Sequence, residues 1–216
     1  MTIPPIHLCL FARAPRAGHC KTRLIPALGP CGAAALQARL CRQAVVRARA
    51  TGATVALWCA PGPGHASFSA LRRQHGVHLR RQPRGDLGAR MSAALRHPPP
   101  GTRGVLVVGT DAPGLTTAHL RAAMAALDGP AQAVMLTAED GGFVAIGSTA
   151  PVHLRGVNWS SGREARQTLH RLRSQGLEVR ILAGFSDLDT PRDLRRARQR
   201  GDLPRALFPA GEKPAK

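Results

Sequence analysis

Residues 11–24 read FARAPRAGHCKTRL and place Lys21, Thr22 and Arg23 directly after a glycine-containing turn that closes an apolar run. Gly18 frees the backbone there, and backbone N–H groups, an ammonium, a guanidinium and a hydroxyl together suit the wrapping of a di- or triphosphate. The segment is no Walker motif, because it has one glycine where that pattern has two. Lys21 is the only lysine among the first 212 residues of a chain with 31 Lys plus Arg. A lysine is a point charge that moves between phosphate oxygens, whereas an arginine fork demands a fixed planar partner. The nucleotide-binding candidates are therefore Ala14, Gly18, Lys21, Thr22 and Arg23, joined by Gly109 and Thr110 from the loop that follows.

That loop reads GTDAPGL over residues 109–115 and sets Asp111 on a tight turn before Pro113 and Gly114. A carboxylate held this way suits Mg²⁺ or Mn²⁺, which take oxygen ligands and bridge to substrate phosphates. Asp189, in DLDTP at residues 187–191, is the candidate second ligand; alternatively Asp189 or Thr190 caps the helix that Pro191 opens. Asp140, in the EDGG run at residues 139–142, is either a substrate contact or part of a hairpin turn. With only 12 Asp plus Glu in a chain of net charge +19, acids gathered at strand ends suggest a cation to be held.

The excess of arginine invites a nucleic-acid reading. Its distribution argues against one: arginines are spread over the expected helices, aromatics are 3%, and tyrosine is absent, so stacking platforms are missing. Five cysteines, odd in number and without a C-x-x-C pair, are expected as reduced thiols. The first apolar run is too short to span a membrane and no signal segment is read, which points to the cytoplasm.

Apolar runs alternate with helical periodicity throughout. Strands are expected at 6–11, 54–59, 77–79, 105–108, 133–137, 143–146 and 178–182; helices at 33–50, 67–75, 86–96, 117–127, 163–175 and 191–199. The short link between the strands at 133–137 and 143–146 requires an antiparallel pair. The pattern is α/β, with a mostly parallel sheet and an antiparallel excursion, in one domain over residues 1–203 and a loose tail over 204–216. In such sheets ligands bind beyond the carboxyl ends of the strands, where strand order reverses. Every candidate named above falls at such an end.

FARAPRAGHCKTRL, GDLGARM at 85–91, GTDAPGL, AEDGGFVAIG at 138–147 and NWSSGREARQTLHRLRSQGLEV leading to DLDTPRDL resemble, in order, the bacterial DUF2064 family. These are glycosyltransferase A-type, nucleotide-diphospho-sugar-transferase-like proteins, similar to molybdenum-cofactor and 2-phospho-lactate guanylyltransferases. The resemblance covers roughly residues 6–200 and implies a three-layer α/β sandwich. It further implies that Lys21 and Arg23 face nucleotide phosphates, that Asp111 holds Mg²⁺ or Mn²⁺, and that Asp189 completes the metal site. Phe143 departs from the family's usual tyrosine, and the segment before Glu139 lacks its common Gly-Pro.

The expected activity is metal-dependent transfer from a nucleotide sugar or nucleoside triphosphate to a small-molecule acceptor. Lys21 and Arg23 would offset phosphate charge, and Asp140 would act as base or sugar contact. Glycosyl and nucleotidyl transfer use the same cradle and stay open, as does a homodimer. A non-catalytic nucleotide sensor and a basic nucleic-acid-binding protein are the alternatives.

Overall fold

The computed structural model describes residues 5–202, so the expected tail lies outside the described residues. A seven-stranded sheet runs in the order β3-β2-β1-β4-β6-β5-β7. Its members are β1 (Ile6–Arg13), β2 (Val55–Ala60), β3 (His78–Arg81), β4 (Gly104–Gly109), β5 (Ala133–Ala138), β6 (Phe143–Ser148) and β7 (Val179–Phe185). Only β6 runs against its neighbours; the remaining pairings are parallel. The expected antiparallel excursion is therefore the β5–β6 hairpin, whose second strand, β6, is inserted between β4 and β5.

Strands buried on both faces read as continuous apolar runs, and β1 and β4 do so because helices cover both sides. Leu8, Leu10, Leu106 and Val108 face a core completed by Cys41 and Val45 of α1 (Ile25–Arg49), Phe68 of α2 (Ala66–His75) and Leu120 and Leu127 of α4 (Thr117–Asp128). Cys9, Val105, Val107 and Ile146 face the opposite core with Met91 and Leu95 of α3 (Leu87–Leu95) and Leu172 of α5 (Glu164–Ser174). The result is the expected three-layer sandwich.

A third cluster joins Leu24, Leu36 and Leu40 to Leu188 and to Leu194 and Ala197 of α6 (Pro191–Gln199). This contact draws the segment after β7 back over the loop after β1.

Local signals place most helix ends. Asp86 caps α3 by accepting from the Ala89 N–H at 2.7 Å, and Thr116 caps α4 with a reciprocal His119 contact. The expected helix at 33–50 begins earlier. Its first turns lie before a break at Gly29, whose φ of 68° only glycine adopts readily. By length and composition residues 22–49 pass for a membrane span. The helix is broken at Gly29, and Leu36, Leu40, Cys41, Val45 and Ala48 on one of its faces are buried in the cores described above.

Candidate nucleotide site at the break in strand order

From β1 the chain proceeds to β2 and β3 on one side of the sheet and returns to β4 on the other. The loops after β1 and β4 diverge here and leave a crevice, which the segment after β7 also reaches. Lys21 stands at the meeting point. Its Nζ lies 2.9 Å from Asp111 Oδ1, 2.9 Å from Asp189 Oδ1, and donates to the Leu188 carbonyl at 2.6 Å. The Leu188 N–H in turn donates to the Asp111 carbonyl at 2.9 Å, so three loops are tied around one ammonium.

Backbone geometry holds this arrangement. Lys21 adopts a left-handed conformation, φ 46° and ψ 42°, and caps a 3₁₀ turn over Thr22–Leu24. A non-glycine residue there costs of order 1 kcal/mol, offset by what its side chain gains. Arg47 Nη1 donates to the Pro113 carbonyl at 2.6 Å and the Leu115 carbonyl at 2.9 Å, which pins the turn carrying Asp111.

The Lys21 side chain is 3% exposed, while Asp111 and Asp189 are 44% and 47% exposed. Burial alone would lower the lysine pKa. The two carboxylates, Asp111 first, outweigh it and hold the pKa above the ordinary value, so the ammonium stays charged. Burial, with Asp189 and Asp140 nearby, raises Asp187 to about 6. Burial also pushes the Cys20 thiol up, away from the thiolate that nucleophilic chemistry needs.

Two concavities meet here. One, of about 350 Å³, has Arg13, His19, Lys21, Thr22 and Arg23 around it and Gln37 of α1 at its base. The other, of about 400 Å³, opens on the α3 side of the sheet between Phe11, Met91, Phe143 and Trp159. Arg23, Ser160 and Asp189 line both.

The structure thus brings Lys21, Thr22, Arg23, Asp111 and Asp189 together. Gly109 ends β4 at the floor of the larger cleft, and Asp140 lines its rim. Ala14 is 3% exposed and packs in the core, and Thr110 is 3% exposed with its hydroxyl donating to the Phe11 carbonyl at 3.3 Å. These two shape the crevice from behind rather than line it. Gly18, at φ 77°, forms the turn of the first loop. The cap of α6 is Thr190, paired with Asp193, which leaves Asp189 free for Lys21. Asp140 belongs to the turn, where it accepts from the Gly142 N–H at 2.9 Å, and it borders the cleft.

Gln37 and Trp159 escaped sequence reading. Gln37 is 2% exposed and its Nε2 has no hydrogen-bond partner, yet nothing in a helical repeat distinguishes it from a surface glutamine.

A divalent cation fits the carboxylate pair. Asp111 Oδ1 and Asp189 Oδ1 each lie 2.9 Å from the Lys21 ammonium, so the two carboxylates converge on a position already holding positive charge, and each keeps close to half of its side chain exposed. Among the described residues no cluster of three His, Cys, Asp or Glu side chains forms. Two carboxylates suit Mg²⁺, which keeps waters and takes substrate phosphates as its other ligands.

The model of a bacterial family described as "Uncharacterized protein conserved in bacteria (DUF2064)" matches residues 43–161, more than half of the chain. The chain belongs to the DUF2064 family. No curated protein matches this DUF2064 protein. Among solved structures it is similar to a candidate nucleotide-diphospho-sugar transferase from Desulfovibrio desulfuricans G20, with a TM-score of 0.79, 24% identity, and coverage of 93% of this chain and 89% of the other. It is also similar to 4-diphosphocytidyl-2C-methyl-D-erythritol synthase from Anaerococcus prevotii DSM 20548 (TM-score 0.57, 10% identity, coverage 93% and 100%). The inositol-1-phosphate CTP transferase from T. maritima gives a TM-score of 0.57 at 12% identity, with coverage of 89% and 93%. These likenesses establish the fold of the DUF2064 protein.

Proposed function

We propose that this DUF2064 protein is a metal-dependent transferase that takes a nucleotide-activated donor. The observation that carries this reading is the convergence of Lys21, Asp111 and Asp189 at the break in strand order. A buried lysine flanked by two partly exposed carboxylates is an expensive arrangement to maintain for stability alone, since ion pairs at such places contribute little net. A phosphate and cation site gives it a purpose.

In this reading the donor phosphates lie in the basic concavity, where Lys21 and Arg23 offset their charge and Thr22 supplies a hydroxyl contact. Asp111 and Asp189 would hold Mg²⁺ or Mn²⁺, which when bound neutralises phosphate charge that develops as the donor is cleaved. The residues of the chain position and stabilise; none needs to act as a nucleophile. Arg23, bordering both concavities, stands between donor and acceptor. The five cysteines are all free thiols, which fits action in the reducing cytoplasm.

The test is turnover of a panel of nucleoside triphosphates and nucleotide sugars with Mn²⁺. Nucleoside diphosphate release marks glycosyl transfer and pyrophosphate release marks nucleotidyl transfer. Asp111→Ala is expected to abolish either. Wild-type rates in Asp111→Ala, or nucleotide binding without turnover of any donor, would overturn the reading, the latter in favour of a nucleotide sensor.

A further inference from the structure

The 400 Å³ cleft on the α3 side is built differently from the basic concavity beside it. Val107, Ala145 and Ile146 of the sheet form its floor, and Leu87 and Met91 of α3 one wall. Phe143 and Trp159 meet edge to face at 6.2 Å on the other. Leu87 is one of three large apolar side chains that the described surface exposes, at 44%. The Trp159 Nε1 edge is buried against Gly88 of α3, which leaves the ring to form the cleft wall.

Two close backbone approaches fix these walls. A Cβ on Gly88 would lie 2.6 Å from the Leu154 carbonyl and 2.8 Å from Trp159 Cζ2, so α3 seats the indole only because residue 88 has no side chain. A Cβ on Gly141 would lie 2.1 Å from the Gly162 carbonyl, and the Ala165 N–H donates to the Gly141 carbonyl at 3.0 Å. The β5–β6 turn is thereby locked to the turn that carries Trp159.

Charge completes the description. In a chain of net charge +19, this cleft is bordered by Asp140, Glu164, Asp187 and Asp189 against one cation, Arg23. Asp189 is engaged by Lys21, which still leaves three carboxylates to one guanidinium. A phosphate dianion entering here would face like charge at short range. An uncharged compound with a flat apolar face and hydroxyl groups would meet aromatic rings and carboxylate acceptors.

We propose that this cleft is the acceptor subsite and that the acceptor is an uncharged or cationic hydroxyl compound with a flat apolar face, such as a glycoside, not a phosphomonoester. This rests on the transferase reading above and selects glycosyl over nucleotidyl transfer to a phosphate. The acceptor oxygen then bonds to the anomeric carbon of a nucleotide sugar. The bond from that carbon to the diphosphate oxygen breaks, the nucleoside diphosphate leaves with the electron pair, and the acceptor proton passes to a rim carboxylate, of which Asp140 is one.

The chain has two tryptophans, so Trp58→Phe leaves Trp159 as a single emitter inside the cleft. Its emission is titrated with phenyl β-D-glucopyranoside and with phenyl phosphate, inorganic phosphate serving as the baseline for anions in the basic concavity. The expected result is a saturable change with the glucoside at a Kd at least tenfold below that of phenyl phosphate, and a narrowed ratio in Asp140→Asn. Equal or tighter binding of phenyl phosphate, or no response to the glucoside, overturns the proposal. Thermal stabilisation by nucleotides with Mn²⁺ is measured on the same variant. Nucleotide stabilisation with a phenyl phosphate preference sinks the acceptor proposal alone. Glucoside binding without any nucleotide stabilisation sinks the transferase reading and leaves the chemistry of the cleft standing.

Discussion

The Lys21 ammonium lies 2.9 Å from Asp111 Oδ1 across the break in strand order, buried beneath a carboxylate that is itself 44% exposed. The cation is fixed and inward, while the anion faces both it and the crevice. With Asp189 at the same 2.9 Å, Lys21 occupies the position toward which a divalent cation would be drawn. The ammonium and a divalent cation would therefore compete for the same oxygens.

Replacing Lys21 by methionine should accordingly strengthen Mn²⁺ binding in the absence of nucleotide, by roughly tenfold, since an opposing cation is removed from two carboxylates. Turnover should fall at least 100-fold by the loss of one phosphate-facing charge, on the order of the effect of deleting one stabilising donor. Stability should drop by about 1 to 2 kcal/mol, less than for a fully buried pair because both carboxylates keep part of their water. Isothermal titration with Mn²⁺ checks the first point; weaker binding would mean that Lys21 organises the carboxylates and does not compete for them.

Asp189 and Thr190 are neighbours with separable tasks. Thr190→Ala removes the α6 cap, whose hydroxyl accepts from the Asp193 N–H at 3.3 Å, and should lower stability by about 1 kcal/mol while sparing Mn²⁺-dependent nucleotide binding. Asp189→Asn should do the reverse, keeping the melting temperature within a few degrees and losing the metal effect. Denaturation midpoints and nucleotide titrations on the two variants distinguish them. Identical profiles would reduce Asp189 to a structural residue.

Gly88→Ala should force Trp159 away from α3, because a Cβ there would sit 2.8 Å from the indole and 2.6 Å from a carbonyl that has little room to move. A cost of about 1 to 3 kcal/mol is expected from such overpacking. Nucleotide binding in the basic concavity should persist while glycoside binding weakens. An unchanged near-ultraviolet circular dichroism spectrum would contradict this account of the cleft wall.

His7 gives the pH dependence of stability. It is buried in β1, its Nδ1 2.7 Å from Thr54 Oγ1, and burial, then the charges of Arg80 and His78, lower its pKa from 6.5 to about 4. The unfolded chain thus binds the proton more readily than the folded one. Stability contributed by neutral His7 is complete above about pH 6.5 and is lost as pH falls towards about 4, by about 3 kcal/mol in all. Urea unfolding across that range should show a shallower acid slope in His7→Gln than in the wild type; parallel slopes would remove His7 from the explanation.

Much of the fold was legible because each strand is short, apolar and bounded by breakers. The β5–β6 hairpin followed from its short AEDGG link alone, and Asp86 and Pro191 marked helix starts where they were expected. The first turns of α1 were hidden because Gly29 and Pro30, strong breakers in sequence, sit at a kink that the helix continues past. Lys21, Asp111 and Asp189 could be read from residue type and position at strand ends. Gln37 and the wall formed by Met91, Phe143 and Trp159 could not, since a cleft assembled from α3, β6 and a distant turn leaves no local periodicity.

If Lys21, Asp111 and Asp189 form a nucleotide and metal site, a nucleotide should stabilise the protein through the metal. The most direct test is the thermal stability of wild type, Lys21→Met and Asp111→Asn against nucleoside triphosphates and nucleotide sugars, with and without Mn²⁺. At least one nucleotide is expected to stabilise the wild type only when Mn²⁺ is present, and both substitutions are expected to remove the shift. Equal stabilisation in all three proteins, or none in the wild type with any nucleotide, would contradict it.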